Sequence, residues 1–188
     1  MENNRNIRIA KETDAEALLE IYKPYVLNTA ISFEYEVPSV AEFQNRIHNI
    51  LQRYPYLILE ESGQIKGYAY ASSFKPRPAY DWSVETTIYM REDQKGKGYG
   101  KQLYLALEEA LKRQNILNMN ACIALAKPDD PYLTNASMEF HEHMGYRLVG
   151  TFTNSGHKFH RWYDMIWMEK IIGEHRENPA KVIAFPFI

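Results

Sequence analysis

The chain has one cysteine, Cys122, among 188 residues, and its charges almost cancel. One thiol cannot form an internal disulfide or a four-cysteine zinc site, and such cysteine usage is typical of a reducing cytoplasm. The formal net charge of −2 gives no electrostatic case for nucleic acid or an anionic membrane. No apolar run reaches the ~18 residues that span a bilayer, and the first ten residues lack the apolar core of a signal peptide. We therefore expect a cytoplasmic protein that binds neither nucleic acid nor membrane.

The sequence also lacks internal repeats, low-complexity tracts and Gly/Ser-rich linkers. Its length and its 45% hydrophobic residues suit one domain with a real core. We predict that this domain covers 1–170 and that a tail covers 171–188. Six of the last seven residues are apolar or aromatic, the exception being Pro186. Because a free chain end is usually polar, we predict that the tail packs on its own domain or on a twofold partner.

Strand and helix patterns mix along the chain. Period-two or wholly apolar segments predict strands at 6–10, 56–74 (a hairpin around Ser62-Gly63), 83–90 and 120–126. Capping patterns over 13–16 and 39–42 precede two predicted helices within 14–53, and two more helices are predicted at 99–114 and 134–146. The last segment reads as a hairpin that turns near 154–156. Consecutive final strands favour a mixed sheet with helices on its faces over a pure βαβ series.

The segment "KGKGYG" at 95–100 places three glycines where a predicted strand passes into a predicted helix. Backbone N–H groups of such a turn, together with the helix dipole, form an anion site, and nearby lysines add positive charge. The spacing does not match a P-loop, which needs a Gly-Lys-Ser/Thr run, or the G-x-G-x-x-G dinucleotide motif. A plain surface turn remains the alternative reading of these residues alone.

An acidic residue, Glu85, lies in the middle of the predicted strand "SVETTIYM". In a strand its side chain shares one face with Thr87 and Tyr89. An acid at that place faces either solvent or a cleft. The residues alone leave both readings open, and in a cleft the carboxylate could serve as a general base.

The glycine segment resembles the pyrophosphate loop of the GNAT N-acetyltransferases. The segments "RYPYLILE", "AYDWSVETTIYM", "FHEHMGY" and "GHKFHRWYDMIWM" are similar, in the same order, to the phosphinothricin and methionine sulfoximine type of that family. The resemblance covers roughly residues 6–170. It implies the α/β GNAT fold, a single domain with a mixed, mostly antiparallel central sheet flanked by helices. It also implies acetyl-CoA as cosubstrate, no metal, and a homodimer.

The resemblance further assigns roles to individual residues. It implies that Glu85 is the general base and that His141 protonates the departing thiolate. It implies an acceptor pocket in which Arg77 binds a carboxylate and Phe33 and Tyr80 form walls. The residues implied to bind the cofactor lie on one strand, in the glycine segment and before the fourth predicted helix: Ile88, Tyr89, Met90, Lys95, Gly96, Lys97, Gly98, Tyr99, Gly100, Lys101 and Asn135.

Three functions are consistent with this reading. The first is transfer of acetyl from acetyl-CoA to the α-amine of a small amino acid or analogue, by direct attack in a ternary complex. The second is acetylation of a protein N-terminus or a lysine. The third is an acyl-CoA-binding regulatory module without turnover. The histidines lack metal-ligand spacing, so we expect no metal site.

Overall fold

The computed structural model describes residues 5–94 and 96–186. These residues cluster into two compact units. The first unit comprises 5–21, 38–94, 96–119 and 171–186, and the second comprises Tyr22–Val37 and Asn120–Lys170. Among the described residues, no helix has both the length and the apolar composition that crossing a bilayer requires.

Seven strands and four α-helices form within the described residues. In chain order they are β1 (Arg5–Ile9), α1 (Ala15–Asn28), α2 (Val40–Leu51), β2 (Tyr56–Glu61), β3 (Gln64–Ser73), β4 (Ser83–Met90), α3 (Tyr99–Arg113), β5 (Asn118–Leu125), α4 (Ala136–His143), β6 (Arg147–Lys158) and β7 (Arg161–Ile171). The strand order in the sheet is β1-β2-β3-β4-β5-β7-β6. The pairs β1–β2, β2–β3, β3–β4 and β6–β7 are antiparallel. The predicted α/β class, with a mostly antiparallel sheet and flanking helices, is confirmed.

The hairpin of β2 and β3 turns where the sequence predicted. Ser62 and Gly63 have φ of 53° and 75°, as a two-residue hairpin turn of type I′ requires. On the strands, the ring centroids of Tyr56 and Tyr70 lie 4.8 Å apart, and those of Tyr56 and Tyr68 lie 5.6 Å apart. This aromatic stacking fixes the register of the pair, because cross-strand side chains are the unit of sheet stabilisation.

The start of α2 follows its predicted capping pattern, whereas the capping pattern predicted over 13–16 does not form before α1. Ser39 Oγ accepts a hydrogen bond of 3.1 Å from the backbone N–H of Glu42. Residues Glu12–Asp14 instead form a 3-10 turn, in which Asp14 accepts a bond of 2.7 Å from the Lys11 N–H. Asp14 also pairs with Arg8 at 2.7 Å. Asp14, rather than Thr13, therefore supplies the side-chain bond to the backbone before α1.

The predicted turn of the last hairpin is also wrong. The two strands turn at Phe159 and His160, whose φ values of 50° and 59° are those of a type I′ turn. Residues 153–155 form a bulge in β6, because Phe152 pairs with Met165 while Gly156 pairs with Tyr163. The polar run that resembled a turn is therefore two extra residues within a long strand.

The tail makes backbone and side-chain hydrogen bonds within the first unit. The N–H groups of Ile183 and Phe185 donate to the carbonyls of Gln114 and Arg53 at 3.0 and 3.1 Å. Trp82 Nε1 donates to the Ala180 carbonyl at 2.7 Å. Phe185 is 6% exposed. Residues 187 and 188 lie outside the described residues, and contact of the tail with a twofold partner stays a prediction.

Candidate active site

Glu85 is held in β4 between two buried neighbours, Val84 and Thr86. Thr86 Oγ1 and Tyr104 Oη are 2.6 Å apart, a hydrogen bond that fastens the strand to α3. Glu85 itself is half-buried and lies opposite Ser72 of β3. Burial raises the pKa of Glu85 above its usual value, and the nearby Lys75 charge opposes that shift. A carboxylate with a raised pKa is a better proton acceptor, which is what a general base needs.

Two glycines after β4 adopt a backbone that other residues rarely accept. Gly96 and Gly98 have φ of 76° and 78°, and a Cβ at either position would meet no atom within 4 Å. The glycines are therefore needed for conformation and not for packing space. Lys95 lies outside the described residues, so its predicted role has no structural account.

The first turn of α3 has no side-chain cap and no acidic residue. Gly98 is the N-cap and offers no side chain to the helix amides, and no acidic residue occupies the first turn. Gly100 and Lys101 lie in that turn, and Lys97 Nζ donates to Gln94 Oε1 at 2.9 Å. Uncapped N–H groups at the positive end of a helix form a ready site for a phosphate.

Tyr99 ties this helix start to the sheet. Its hydroxyl donates to Glu61 Oε2 at 2.6 Å, while Arg5 donates to Glu61 Oε1 at 2.9 Å and lies 4.5 Å from the Tyr99 ring centroid. The hydrogen bond from Tyr99 is the main cause, and the bond from Arg5 the second cause, of the lowered pKa of Glu61. The bond between Tyr99 and Glu61 also raises the pKa of Tyr99. Sequence reasoning missed this anchor, because Glu61 lies 38 residues away along the chain.

The second half of β4 carries the three residues predicted to face the cofactor arm. Ile88, Tyr89 and Met90 pair with Ala69, Tyr68 and Gly67 of β3. A Cβ at position 67 would overlap the Met90 side chain and approach the Tyr89 carbonyl to 2.8 Å. Glycine at 67 thus allows Met90 to lie against β3. The pairing of these residues with pantetheine stays a prediction.

Arg77 and Tyr80 lie in the loop between β3 and β4. Arg77 precedes a 3-10 turn of Pro78–Tyr80 and is exposed. The loop acid Asp81 is paired with Arg53 at 3.0 Å, and Arg77 has no ion pair with any residue that the structure describes. Tyr80 is 42% exposed, with its ring edge-on to Phe74 at 6.1 Å. The Arg77 guanidinium can therefore bind an external carboxylate.

His141 lies in the second unit and is 3% exposed. Its Nδ1 lies 2.7 Å from the Ser137 carbonyl, which can only accept, so the proton is on Nδ1. Burial lowers the pKa of His141, and the bond to Ser137 opposes that shift. The imidazole is therefore neutral at neutral pH. Because the Nδ1 proton is already donated to Ser137, a role as acid requires protonation at Nε2 first.

Asn135 and Phe33 also belong to the second unit. Asn135 is the N-cap of α4, and its Oδ1 accepts from the Ala126 N–H at 3.0 Å, which ties the helix to the end of β5. Phe33 is half-buried and lies 6.0 Å from the Tyr163 ring. Contact of Asn135 with the cofactor and of Phe33 with the acceptor stay predictions.

The chemistry-bearing residues of the first unit form one continuous stretch. Glu85 and 88–90 lie on β4, and 96–101 lead directly into α3. The described residues contain no cluster of three or more histidine, cysteine, aspartate or glutamate side chains that could hold a metal. These residues combine a half-buried acid on a strand with a following helix start that has no side-chain cap.

The family model for the acetyltransferase (GNAT) domain matches residues 7–167. The chain is a GNAT acetyltransferase. Its sequence is 33% identical over 159 residues to phosphinothricin N-acetyltransferase of Streptomyces viridochromogenes, covering 85% of this chain and 83% of that one. It is 31% identical over 176 residues to an L-methionine sulfoximine/L-methionine sulfone acetyltransferase of Pseudomonas paraeruginosa, covering 93% and 98%.

A solved structure of similar fold is a GNAT phosphinothricin acetyltransferase from Sinorhizobium meliloti in complex with acetyl-CoA. It superposes on this GNAT acetyltransferase with a TM-score of 0.85, at 33% identity, over 97% of this chain and 96% of the other. The predicted family, fold and enzyme class are confirmed. The glycine backbone and the uncapped α3 amides fit the pyrophosphate of acetyl-CoA.

Proposed function

We propose that this acetyltransferase transfers acetyl from acetyl-CoA to the α-amine of a small amino acid or amino-acid analogue, by direct attack within a ternary complex. The observation that carries the proposal is Glu85, a half-buried carboxylate of raised pKa on the strand that leads into the glycine loop. The names of the relatives support the acceptor class, since one acts on phosphinothricin and another on methionine sulfoximine and sulfone.

On the donor side, the described residues supply backbone groups. The amides of 98–101 would hold the pyrophosphate, Ile88 to Met90 would pair with the pantetheine arm, and Asn135 would bond it through its side-chain amide. Acetyl-CoA supplies the activated acetyl thioester when bound. Tyr99 is buried against Glu61, so its part is to hold the helix start in place.

On the acceptor side, Glu85 would remove the proton of the incoming ammonium, directly or through water. Arg77 would bind the acceptor carboxylate, and Tyr80 and Phe33 would form walls for its side chain. His141 is assigned as the acid for the departing thiolate. A thiol pKa near ~8.5 means that this thiolate needs little help. Because His141 is neutral at rest, its Nε2 would first take a proton from solvent and then give that proton to the sulfur.

The proposal is tested by supplying acetyl-CoA with a panel of acceptors and following the release of free thiol. The panel contains common amino acids, methionine sulfone, methionine sulfoximine, phosphinothricin, their carboxamides, and peptides. We expect turnover with some free amino acids and little with peptides. Turnover with peptides alone would favour acetylation of protein N-termini or lysines, and binding of acetyl-CoA without any turnover would favour a regulatory module.

The carboxylate contact is tested by Arg77→Ala. Losing a charge-assisted pair costs ~1.5–3 kcal/mol, which corresponds to ~10–150-fold in KM for the acceptor. The KM for acetyl-CoA should stay unchanged, and Arg113→Ala, an exposed arginine at the end of α3, is the matched control. If the wild type uses a carboxamide as well as the free acid, Arg77 does not bind the carboxylate.

A further inference from the structure

Lys158, the last residue of β6, is a lysine buried to 2% exposure. Its Nζ donates to three backbone carbonyls, those of Val26 at 2.7 Å, Thr29 at 2.9 Å and Ser32 at 2.6 Å. An ammonium has three N–H donors, so each is satisfied by a direct bond. All three acceptors belong to the last turn of α1 and to the residues just after it. The last carbonyls of a helix lack partners within the helix and lie at its negative end, where a cation is favoured.

Two further contacts fix the same segment, residues 29–37, which we call the acceptor loop. The Tyr35 hydroxyl donates to the His157 carbonyl at 2.7 Å. Gly156 lies directly against Phe33, and a Cβ there would approach three atoms of the Phe33 ring, the farthest at 2.9 Å. Three consecutive residues at the end of β6 thus each constrain a different point of this loop.

The arrangement is unusual for a stabilising core contact. Burying an ammonium is costly, and burial lowers the pKa of Lys158 while the charge of Glu34 opposes the shift. An apolar side chain would avoid that cost but would leave the three carbonyls without this donor. A buried charge bonded to the last turn of α1 and to two residues of the loop after it selects one position of that loop relative to the helix, since any other leaves the charge partly unpaired.

We propose that Lys158 is a positioning residue for acceptor binding, because it and Gly156 fix the acceptor loop and so set the place of the Phe33 ring. The proposal rests on the proposed function, in which Phe33 is a wall of the acceptor pocket. The contacts made by the end of β6 then set the position of the acceptor loop, and the position of this loop sets which acceptor side chains the enzyme prefers.

The first test substitutes Lys158→Met, which keeps the aliphatic length and removes the three donors. Lys23→Met, at an exposed lysine on α1, is the matched control. Amide hydrogen exchange of residues 29–37 should become about tenfold faster or more in the first variant and stay unchanged in the control. With methionine sulfone as acceptor probe, its KM should rise about tenfold or more, while the KM for acetyl-CoA stays within about twofold.

A second variant keeps the test decisive if Lys158→Met does not fold. Gly156→Ala changes no charge and displaces the Phe33 ring, whereas Gly150→Ala on the same strand meets no atom within 4 Å. We expect Gly156→Ala to change the acceptor KM and the ranking of acceptor side chains, and Gly150→Ala to change neither.

The outcomes separate this proposal from the proposed function. If the folded variants bind the acceptor as the wild type does, whatever their melting temperature, Lys158 and Gly156 are only structural and the positioning role is overturned. If the wild type acetylates no amino acid, the proposed function fails, but hydrogen exchange still tests whether Lys158 anchors the acceptor loop. Faster exchange of 29–37 in the Lys158 variant would support the anchoring, and unchanged exchange would refute it.

Discussion

Replacing Glu85 by glutamine tests the central chemical claim. Glutamine keeps the size of the side chain and its hydrogen-bonding oxygen but cannot accept a proton at neutral pH. General base catalysis contributes ~10²–10⁴-fold, so kcat should fall by that factor, which corresponds to ~2.7–5.4 kcal/mol of transition-state free energy. The KM for acetyl-CoA should not change, because the loop and the α3 amides are untouched.

The same substitution has an expected sign for stability. Burial raises the pKa of Glu85 in the folded chain. The folded state therefore disfavours the ionised form, and this cost is present at pH values above the raised pKa. Glu85→Gln removes the buried charge, so the variant should melt no lower than the wild type at neutral pH. A loss of activity without a loss of stability separates catalysis from misfolding.

The assay is the pH dependence of kcat/KM with one good amino-acid acceptor. The wild-type rate should rise with pH as Glu85 and the acceptor amine lose protons, and the limb due to Glu85 should lie above the usual glutamate range. Lys75→Met should move that limb to still higher pH, because the Lys75 charge lowers the pKa of Glu85. Glu16→Gln, at an exposed glutamate of α1, is the control. Full recovery of Glu85→Gln at alkaline pH would remove Glu85 from the base role and leave it as a binding residue.

Three further predictions concern the donor side and the tail. Gly98→Ala should raise the KM for acetyl-CoA and cost ~1–2 kcal/mol of stability. The control Gly63→Ala, at a hairpin glycine of similar φ, should cost the same stability and leave the KM unchanged. An equal KM for acetyl-CoA in the two variants would refute the loop assignment. Tyr99→Phe and Glu61→Gln should each raise the KM for acetyl-CoA a few-fold, and a double variant whose effects simply add would show that the two residues do not act through their shared bond. Removing 179–188 should lower the melting temperature, because Gln114 and Asn115, which follow α3, lose their hydrogen-bond partners in the tail. An unchanged melting temperature and particle size would count against the packing.

Much of the fold could be predicted from short-range patterns. The alternation in β4, the hairpin at Ser62-Gly63 and the apolar face of α3 each depend on neighbours within a few residues, and all three form as predicted. The glycine loop was found in the same way, since a positive φ is a property of single residues and the spacing of glycines is visible in the sequence.

The failures of prediction have one cause. Residues 154–156 have the composition of a turn, yet 153–155 form a bulge and Gly156 pairs with Tyr163, and the turn forms at Phe159 and His160 instead. The cap predicted at Thr13 does not form, and Asp14 accepts from the Lys11 N–H and pairs with Arg8 instead. In both places the folded chain makes a contact that local composition does not indicate: the Asn154 N–H donates to Asp164 Oδ1 at 2.8 Å in the bulge, and Asp14 pairs with Arg8 before α1.

The sequence by itself determined the glycine-rich turn before α3 and the strand that carries an acid. The tertiary structure decided what holds these parts in place: Tyr99 bonds to Glu61 across 38 residues, and Lys158 bonds to Val26 across 132. The environment of a polar side chain depends on which distant elements become its neighbours, and composition and spacing do not record that. A lysine at the end of a strand looks like a solvated surface residue in the sequence, and only folding shows that it is a buried cation bonded to three carbonyls.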